Sequence, residues 1–122
     1  MSEKTRRSWL LVPVSKPELI ARAAQCGADV IVLDLVELVA EADREAARAN
    51  FTAAIQAARA GGAEIYAQVD PAVLHADLTA CVWPGLSGVV VVRTESAAQI
   101  MDAAVLLTRL EKERGIPPDT LQ

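Results

Sequence analysis

The feature that most constrains this chain is a fourfold alternation of a short apolar run with a segment of helical periodicity. Within each run the apolar residues are continuous, which is typical of strands covered on both faces in a parallel sheet. The pattern predicts an α/β fold of four parallel β/α units, forming one domain over residues 1–122. The predicted strands are Trp9–Val12, Val30–Leu33, Ile65–Val69 and Val89–Val92.

Three places between the runs carry signals for the start of a helix. Asp70-Pro71 is a favourable pair for an N-cap followed by a first turn. Ser15 with Glu18, and Ser96 with Gln99, have the spacing of a capping box, in which the hydroxyl and the third side chain satisfy helix-end amides. We therefore expect helices to begin at all three places.

The helical segments themselves can be bounded from their apolar spacing. A single helix is predicted from Glu41 to Arg59, ended by Gly61-Gly62. In the last helix the spacing predicts a core face made of Ile100, Ala103, Ala104 and Leu107.

The turn after the first run separates the possible parallel folds. A dinucleotide-binding fold needs a glycine-rich turn there, whereas this chain has Pro13-Val14-Ser15 and no phosphate-binding P-loop sequence. Right-handed β/α repetition without either signal favours the N-terminal half of a (β/α)8 barrel, ending where a fifth strand would be due. An open half-barrel leaves its first and fourth strands unpaired, so we expect a homo-oligomer.

Charge and composition argue against several classes of function. The net charge of −4 and the pI near 4.9 disfavour a nucleic-acid partner. No apolar run approaches the roughly 18 residues of a membrane span, and Pro13 interrupts the run that follows the charged N-terminus. We therefore expect a cytoplasmic protein with no membrane partner. Cys26 and Cys81, with the single His75, cannot form a tetrahedral zinc set, so we expect buried or half-buried free thiols and a histidine on a helix surface.

Six segments, in order along the chain, resemble one enzyme family. They are Arg7–Pro13, Lys16–Ile20, Gly27–Leu35, Arg44–Arg48, Pro84–Gly88 and Glu95–Ala97. Together they resemble the HpcH/HpaI aldolase/citrate lyase family, which includes citrate lyase β-subunit-like and malyl-CoA lyase-like proteins. The resemblance implies the N-terminal half of a TIM barrel, and the making or breaking of carbon–carbon bonds in acyl-CoA or keto-acid substrates. It also implies Mg²⁺, which stabilises an enolate as a Lewis acid.

The chain departs from the family pattern at three strand ends. The family's Asp-Leu-Glu-Asp is here Asp34-Leu35-Val36-Glu37. The arginine of its Val-Arg-Val-Asn run is here Gln68, and Asp70 adds a negative charge where an anion would dock. Its Pro-Lys pair is here Val92-Arg93. Because the family's metal-holding acids lie on strands five and six, the resemblance implies that the Mg²⁺ ligands are absent from this chain.

The resemblance makes four residues candidates for substrate binding and assigns no catalytic residue. The four are Asp34, Glu37, Gln68 and Arg93. Each has a structural alternative. Asp34 and Glu37 could be solvated loop acids or could cap the following helix. Gln68 could be a satisfied amide inside the sheet. Arg93 could pair with Glu95. A glutamine lacks the charged bidentate fork of arginine, so Gln68 would hold a carboxylate less firmly.

Two expectations concern packing. Trp9 and Trp83 are interpreted as packing residues, since aromatic residues make up only 3% of the chain and offer no stacking platform. The segment Arg109–Arg114 alternates in charge and is interpreted as a solvated helix face with ion pairs along it.

Two hypotheses about function follow. The first is a truncated or degenerate member of the Mg²⁺-dependent lyase family, inactive as an isolated chain. Its missing half would come from a complementary C-terminal chain or from a homo-oligomer. The second is a non-catalytic, oligomerising or regulatory half-barrel module, and the changes at Val36, Gln68 and Asp70 support it.

Overall fold

A computed structural model describes residues 8–92 and 96–116. Its centre is a parallel sheet of four strands in the order β1-β2-β3-β4, as the apolar runs predict. The strands are β1 (Trp9–Pro13), β2 (Val30–Asp34), β3 (Glu64–Val69) and β4 (Gly88–Val91). Neighbouring strands in space are also neighbours in sequence, which is the strand order of one half of a TIM barrel.

Helices connect each strand to the next, and one further helix follows β4. They are α1 (Pro17–Gln25), α2 (Arg44–Ala49), α3 (Phe51–Arg59), α4 (Leu74–Cys81) and α5 (Ala97–Glu113), with short 3-10 turns at Glu41–Asp43 and Pro71–Val73. No helix within residues 8–92 and 96–116 has both the length and the apolar character needed to cross a bilayer.

The two faces of the sheet build two separate apolar clusters. Alternate residues of the strands, such as Ile31, Leu33 and Ile65, pack with the helices in the main core. The other alternate residues, Val30, Val32 and Tyr66, form a small second cluster. The Trp9 and Tyr66 rings, on the strands that flank β2, lie 5.3 Å apart between centroids and are tilted by 51°. This contact agrees with a packing role for Trp9, although half of its surface is exposed.

The prediction of one continuous helix over residues 41–59 is wrong. It is divided into a 3-10 turn, α2 and α3, with a break at Asn50, whose φ and ψ are −96° and 4°. Asparagine has a low helix propensity because its side chain competes for backbone hydrogen bonds. After the break α3 buries Phe51 and Ile55 in the main core.

The helix starts agree with the sequence only in part. Asp70 is an N-cap as predicted, and its carboxylate accepts a hydrogen bond from the Ala72 amide at 2.9 Å. Ser96 occupies the N-cap of α5 without a hydrogen bond from its side chain to the helix. The prediction of a capping box at Ser15 is wrong, because Lys16 occupies the N-cap of α1. The Lys16 amide donates a hydrogen bond to the Pro13 carbonyl in the preceding turn.

The predicted core face of α5 is also wrong in part. Ala103 is buried and Leu107 packs against the core, but Ile100 and Ala104 are exposed. The buried positions are instead Ala103, Leu106, Leu110 and Glu111. The error arises because α5 carries apolar residues on two sides, and spacing alone cannot say which side meets the sheet.

The cysteines and the histidine can be placed individually. Both cysteines are free: Cys81 is buried, whereas Cys26, expected to be at least half-buried, is exposed at the end of α1. The reason is that Cys26 follows the last residue of a helix whose buried side is formed by Ile20 and Ala23. His75 lies exposed on α4, as expected.

Candidate functional site

The carboxyl ends of β2 and β3 bring two of the four candidate residues together. Asp34 and Gln68 are register partners at the ends of these strands. Gln68 donates a hydrogen bond from Nε2 to Oδ1 of Asp34 at 2.8 Å. Active sites of parallel barrels lie at this end of the strands, so the pair is in the expected place. Gln68 is also a satisfied amide, which was the structural alternative for this residue.

Asp34 organises the loop that follows β2. Its side chain is fully buried, and its Oδ1 accepts hydrogen bonds from the Val36 and Glu37 amides, each at 3.0 Å. Its Oδ2 accepts a short hydrogen bond from the Leu38 amide. A buried carboxylate is stable when such donors surround it. Asp34 is therefore neither solvated nor a helix cap, and both structural alternatives for it are wrong.

Glu37 lies in the same loop with an exposed side chain. Its backbone amide donates a hydrogen bond to Asp34 Oδ1. Arg93, the fourth candidate, and its possible partner Glu95 fall outside the described residues.

A chain of charged residues beside this loop was not predicted from the sequence. Arg44 lies 3.4 Å from an Asp70 carboxylate oxygen and also donates to the Val36 carbonyl at 3.4 Å. Arg48 donates from Nε to Asp77 at 2.8 Å, and the other Asp77 oxygen accepts from the Asp70 amide at 3.0 Å. The Asp70 carboxylate is thus paired with an arginine, so it does not present an unbalanced negative charge to an anion.

The sequence pattern around these charged residues did not indicate that they form a network. Arg44 and Arg48 are spaced by four on the polar side of their helix, which is typical of a solvated face. The informative residue was Asp77, which lies between the apolar residues Leu74 and Leu78 and is only 1% exposed. A buried acid in such a segment needs a positive partner.

The described residues do not fit a magnesium site. Mg²⁺ requires oxygen ligands with free lone pairs in octahedral geometry. The Asp34 carboxylate already accepts four hydrogen bonds, from three backbone amides and the Gln68 amide. Within residues 8–92 and 96–116, no three His, Cys, Asp or Glu residues are grouped so that they could hold a metal ion.

A separate cavity of about 440 Å³ opens beside the start of α1. It is lined by Ser15, Lys16, Leu38, Ala40, Asp43, Ala46, Ala47 and Asn50. None of Asp34, Glu37 and Gln68 is among these lining residues. The cavity and the Asp34–Gln68 pair are therefore distinct features of the same end of the sheet.

The end of α5 packs on the second tryptophan. The Arg114 guanidinium lies 3.7 Å from the Trp83 ring centre and donates to the Val82 carbonyl at 2.6 Å. Trp83 is a packing residue, as expected, and donates its indole N–H to the Ala80 carbonyl. The expectation that Arg109–Arg114 is a solvated face is wrong in part, since Glu111 is buried and Arg114 covers the ring by a cation–π contact.

Cys81 gives a pH-dependent prediction. Burial raises the pKa of the Cys81 thiol well above its usual range, and the Asp77 carboxylate raises it further. A group with a raised folded pKa stabilises the protein below its unfolded pKa, and this contribution is lost as the pH rises above that value. We expect the free energy of unfolding to fall by up to about 1.4 kcal/mol per pH unit above about pH 8.5.

Urea unfolding at several alkaline pH values measures this effect. The variant Cys81→Ala should lose most of the alkaline slope, although it is less stable than the native chain at neutral pH. An unchanged slope in the variant would show that another group causes the loss. In the native protein, iodoacetamide should modify the exposed Cys26 and leave the buried Cys81 unmodified.

Comparison with known proteins identifies the family of the chain. Residues 7–122 match the model of the HpcH/HpaI aldolase/citrate lyase family. The chain is 30% identical over 122 residues to citrate lyase subunit beta of Leuconostoc mesenteroides subsp. cremoris, covering 98% of this chain and 40% of that protein. It is 33% identical over 116 residues to a citrate lyase subunit beta-like protein of Mycobacterium tuberculosis, covering 88% of this chain and 39% of that one.

Solved structures agree with these matches. A crystal structure of RipC from Yersinia pestis superposes with a TM-score of 0.59 at 26% identity, covering 88% of this chain and 43% of that one. A citrate lyase beta subunit from M. tuberculosis, complexed with oxaloacetate and magnesium, gives a TM-score of 0.55 at 30% identity, covering 81% of this chain and 45% of that one. The chain spans about two fifths of the length of the relatives that it matches by sequence. With its four parallel β/α units of the TIM-barrel type, the chain belongs to the HpcH/HpaI aldolase/citrate lyase family.

Proposed function

We propose that this chain is a half-barrel member of the carbon–carbon lyase family, a single domain over residues 1–122 that is inactive on its own. Its role would be to supply the first four strands of a barrel in the cytoplasm. The remaining strands, with the ligands for Mg²⁺, would come from a complementary C-terminal half or from a second copy. Family membership and the partial coverage of the relatives support this proposal.

The ligands bound in two similar solved structures support a proposal for the substrate class. One is complexed with oxaloacetate and magnesium, and another with magnesium, acetoacetate and coenzyme A. We propose that a completed barrel takes a keto acid or an acyl-CoA. In this proposal Asp34 positions the loop that carries Glu37, while Gln68 and Arg93 are substrate-binding residues.

The hydrogen bond between Gln68 and Asp34 is the observation that supports the proposed inactivity of the isolated chain. A neutral amide is bonded to the buried carboxylate at 2.8 Å, at the position where the family has a charged arginine. An arginine has five N–H donors, so it could keep one bond to Asp34 and still offer a charged pair of donors to a substrate carboxylate. Glutamine has only two donors, and one of them is already used here.

A chimera tests the proposal. The chain is fused at residue 122 to the C-terminal part of the M. tuberculosis relative that it does not match, and cleavage of a keto-acid or acyl-CoA substrate on which the intact relative is active is measured with Mg²⁺. We expect the Gln68→Arg chimera to act roughly ten- to a hundredfold faster than the Gln68 chimera, because a charge-assisted hydrogen bond contributes about 1.5–3 kcal/mol. The intact relative is the positive control, and circular dichroism verifies folding.

The same experiment separates the second candidate function, a non-catalytic oligomerising or regulatory module. The hydrogen bond between Gln68 and Asp34 favours that candidate, because it holds these two side chains against each other at the strand ends. The pairing of Asp70 with Arg44 removes the charge argument for it, because Asp70 then does not repel an anion. If neither folded chimera cleaves the substrate, the non-catalytic role is favoured. Restoring a carboxylate at Val36 is a weaker test, since Val36 lies in the main core and a buried charge there is costly.

A further inference from the structure

Two loops border the Asp34–Gln68 pair, the β2 loop (residues 35–40) and the β3 loop (residues 70–73). The β2 loop forms neither helix nor strand between the end of β2 and the turn at Glu41–Asp43. A segment of this kind keeps one conformation only where its backbone groups are held by hydrogen bonds. Asp34 holds three amides of the β2 loop. The carbonyl side of this loop, and its distance from the β3 loop, depend on other contacts.

Arg44, the first residue of α2, makes a contact with each loop. Its Nη2 donates to the Val36 carbonyl at 3.4 Å, and its Nη1 donates to an Asp70 carboxylate oxygen at 3.4 Å. Val36 lies two residues beyond Asp34, and Asp70 lies two residues beyond Gln68. Because Asp34 and Gln68 are register partners, Arg44 connects the two segments again, two residues beyond the strand ends.

The shape of an arginine side chain suits this connection. Its planar guanidinium presents donors at fixed angles, and here the two terminal nitrogens serve acceptors on different loops. The Arg44 Nε is buried and has no hydrogen-bond partner among residues 8–92 and 96–116, so the two terminal nitrogens hold the side chain. A lysine ends in a single nitrogen and would hold the two loops together less firmly.

A second arginine of α2 has a different task. Arg48, one turn after Arg44, donates to Asp77 at 2.8 Å, and Asp77 accepts from the Asp70 amide at 3.0 Å. The Arg48 contact has the length of a strong charge-assisted hydrogen bond and joins α2 to α4. The contacts of Arg44 are longer and reach only the loops. Loss of Arg44 should therefore change the loops more than the sheet.

We propose that Arg44 is a positioning residue of the candidate site, which sets the distance between the β2 and β3 loops by bridging Val36 and Asp70. These three residues form the Arg44 bridge. Its effect on substrate binding rests on the proposed function, because that proposal makes Glu37, next to Val36, a substrate-binding candidate. The bridging of the loops does not rest on it and can be measured without turnover.

Amide hydrogen exchange, followed residue by residue by NMR on the 122-residue chain, tests the bridge. In Arg44→Met we expect the Val36, Glu37 and Ala72 amides to exchange at least about tenfold faster, as for the loss of a hydrogen bond to a charged group. These amides donate to Asp34 and Asp70, so they report on both loops. Arg44→Lys keeps the charge and a similar helix propensity, and should recover part of the protection.

Amides of the sheet distinguish positioning from general stability. Ile31 and Val32 lie in β2, which pairs with a strand on each side, and their exchange should change by less than about twofold in Arg44→Met. Arg22→Met, which removes an exposed arginine of α1, is the matched control and should change no amide by more than about twofold. Native exchange rates in both loops of Arg44→Met would overturn the proposal. So would an increase at Ile31 and Val32 as large as at Val36.

The Gln68→Arg chimera tests the consequence for substrate binding. Adding Arg44→Met should raise KM at least about threefold and lower kcat by a smaller factor, because the bridge acts on the binding loops. A fall in kcat at an unchanged KM would overturn the role in substrate binding. If the chimera has no activity, the lyase proposal fails, whereas amide exchange on the 122-residue chain still decides whether Arg44 bridges the loops.

Discussion

Replacing Asp34 by alanine is expected to lower the free energy of unfolding by about 3–5 kcal/mol. The substitution removes the acceptor for three backbone amides and for the Gln68 side chain, within a fully buried position. Each orphaned buried donor costs about 1–3 kcal/mol, and the exposed part of the loop lets water satisfy some of them. Urea unfolding followed by circular dichroism measures the loss.

Two further variants identify the cause of that loss. Asp34→Asn keeps one acceptor oxygen but turns an N–H donor toward one of the amide donors, so we expect an intermediate loss of about 1–3 kcal/mol. Glu37→Gln, in the same loop but exposed, should change stability by no more than about 0.5 kcal/mol. If Asp34→Ala costs less than Glu37→Gln, the carboxylate does not organise the loop.

Asp77→Ala is expected to have the second largest effect, about 2–4 kcal/mol. Asp77 is 1% exposed and accepts hydrogen bonds from Arg48 and from the Asp70 amide. Removing it leaves the arginine and that amide without an acceptor. The effect is smaller than for a fully buried pair because the Arg48 side chain is 23% exposed and can reach water. Thermal and urea unfolding both measure it.

A double-mutant cycle isolates the pair. Arg48→Met alone leaves a buried carboxylate with a single amide donor, which is also costly. Removing both charges together, in Asp77→Leu with Arg48→Met, should cost less than the sum of the single changes by at least about 1 kcal/mol. Additive losses would mean that the two side chains do not interact energetically.

The sheet was predictable because buried parallel strands leave a continuous apolar signal. The runs at Val30–Leu33 and Ile65–Val69 fall within β2 and β3 as observed. Their parallel arrangement also predicts that Asp34 and Gln68 end side by side. Helix details were less predictable. The break at Asn50 and the buried side of α5 depend on tertiary packing, which overrides local propensity and spacing.

The chemistry of the site was harder to predict than its position. The sequence places an acid at the end of β2, but it cannot show that the side chain turns inward to accept loop amides. Likewise Arg44 and Asp70 are 26 positions apart, and no periodicity links them. Arg114 belongs to a charged segment, yet its contact with Trp83 forms only when α5 packs beside α4. Such contacts depend on three-dimensional proximity.

We propose that this family member does not hold a divalent cation and a substrate by itself. The most direct measurement is a calorimetric titration of the purified 122-residue chain with Mg²⁺ in the presence of oxaloacetate, combined with a turnover assay under the same conditions. We expect no saturable heat of binding and no substrate loss above the buffer rate. Stoichiometric Mg²⁺ binding together with turnover by the chain alone would contradict it.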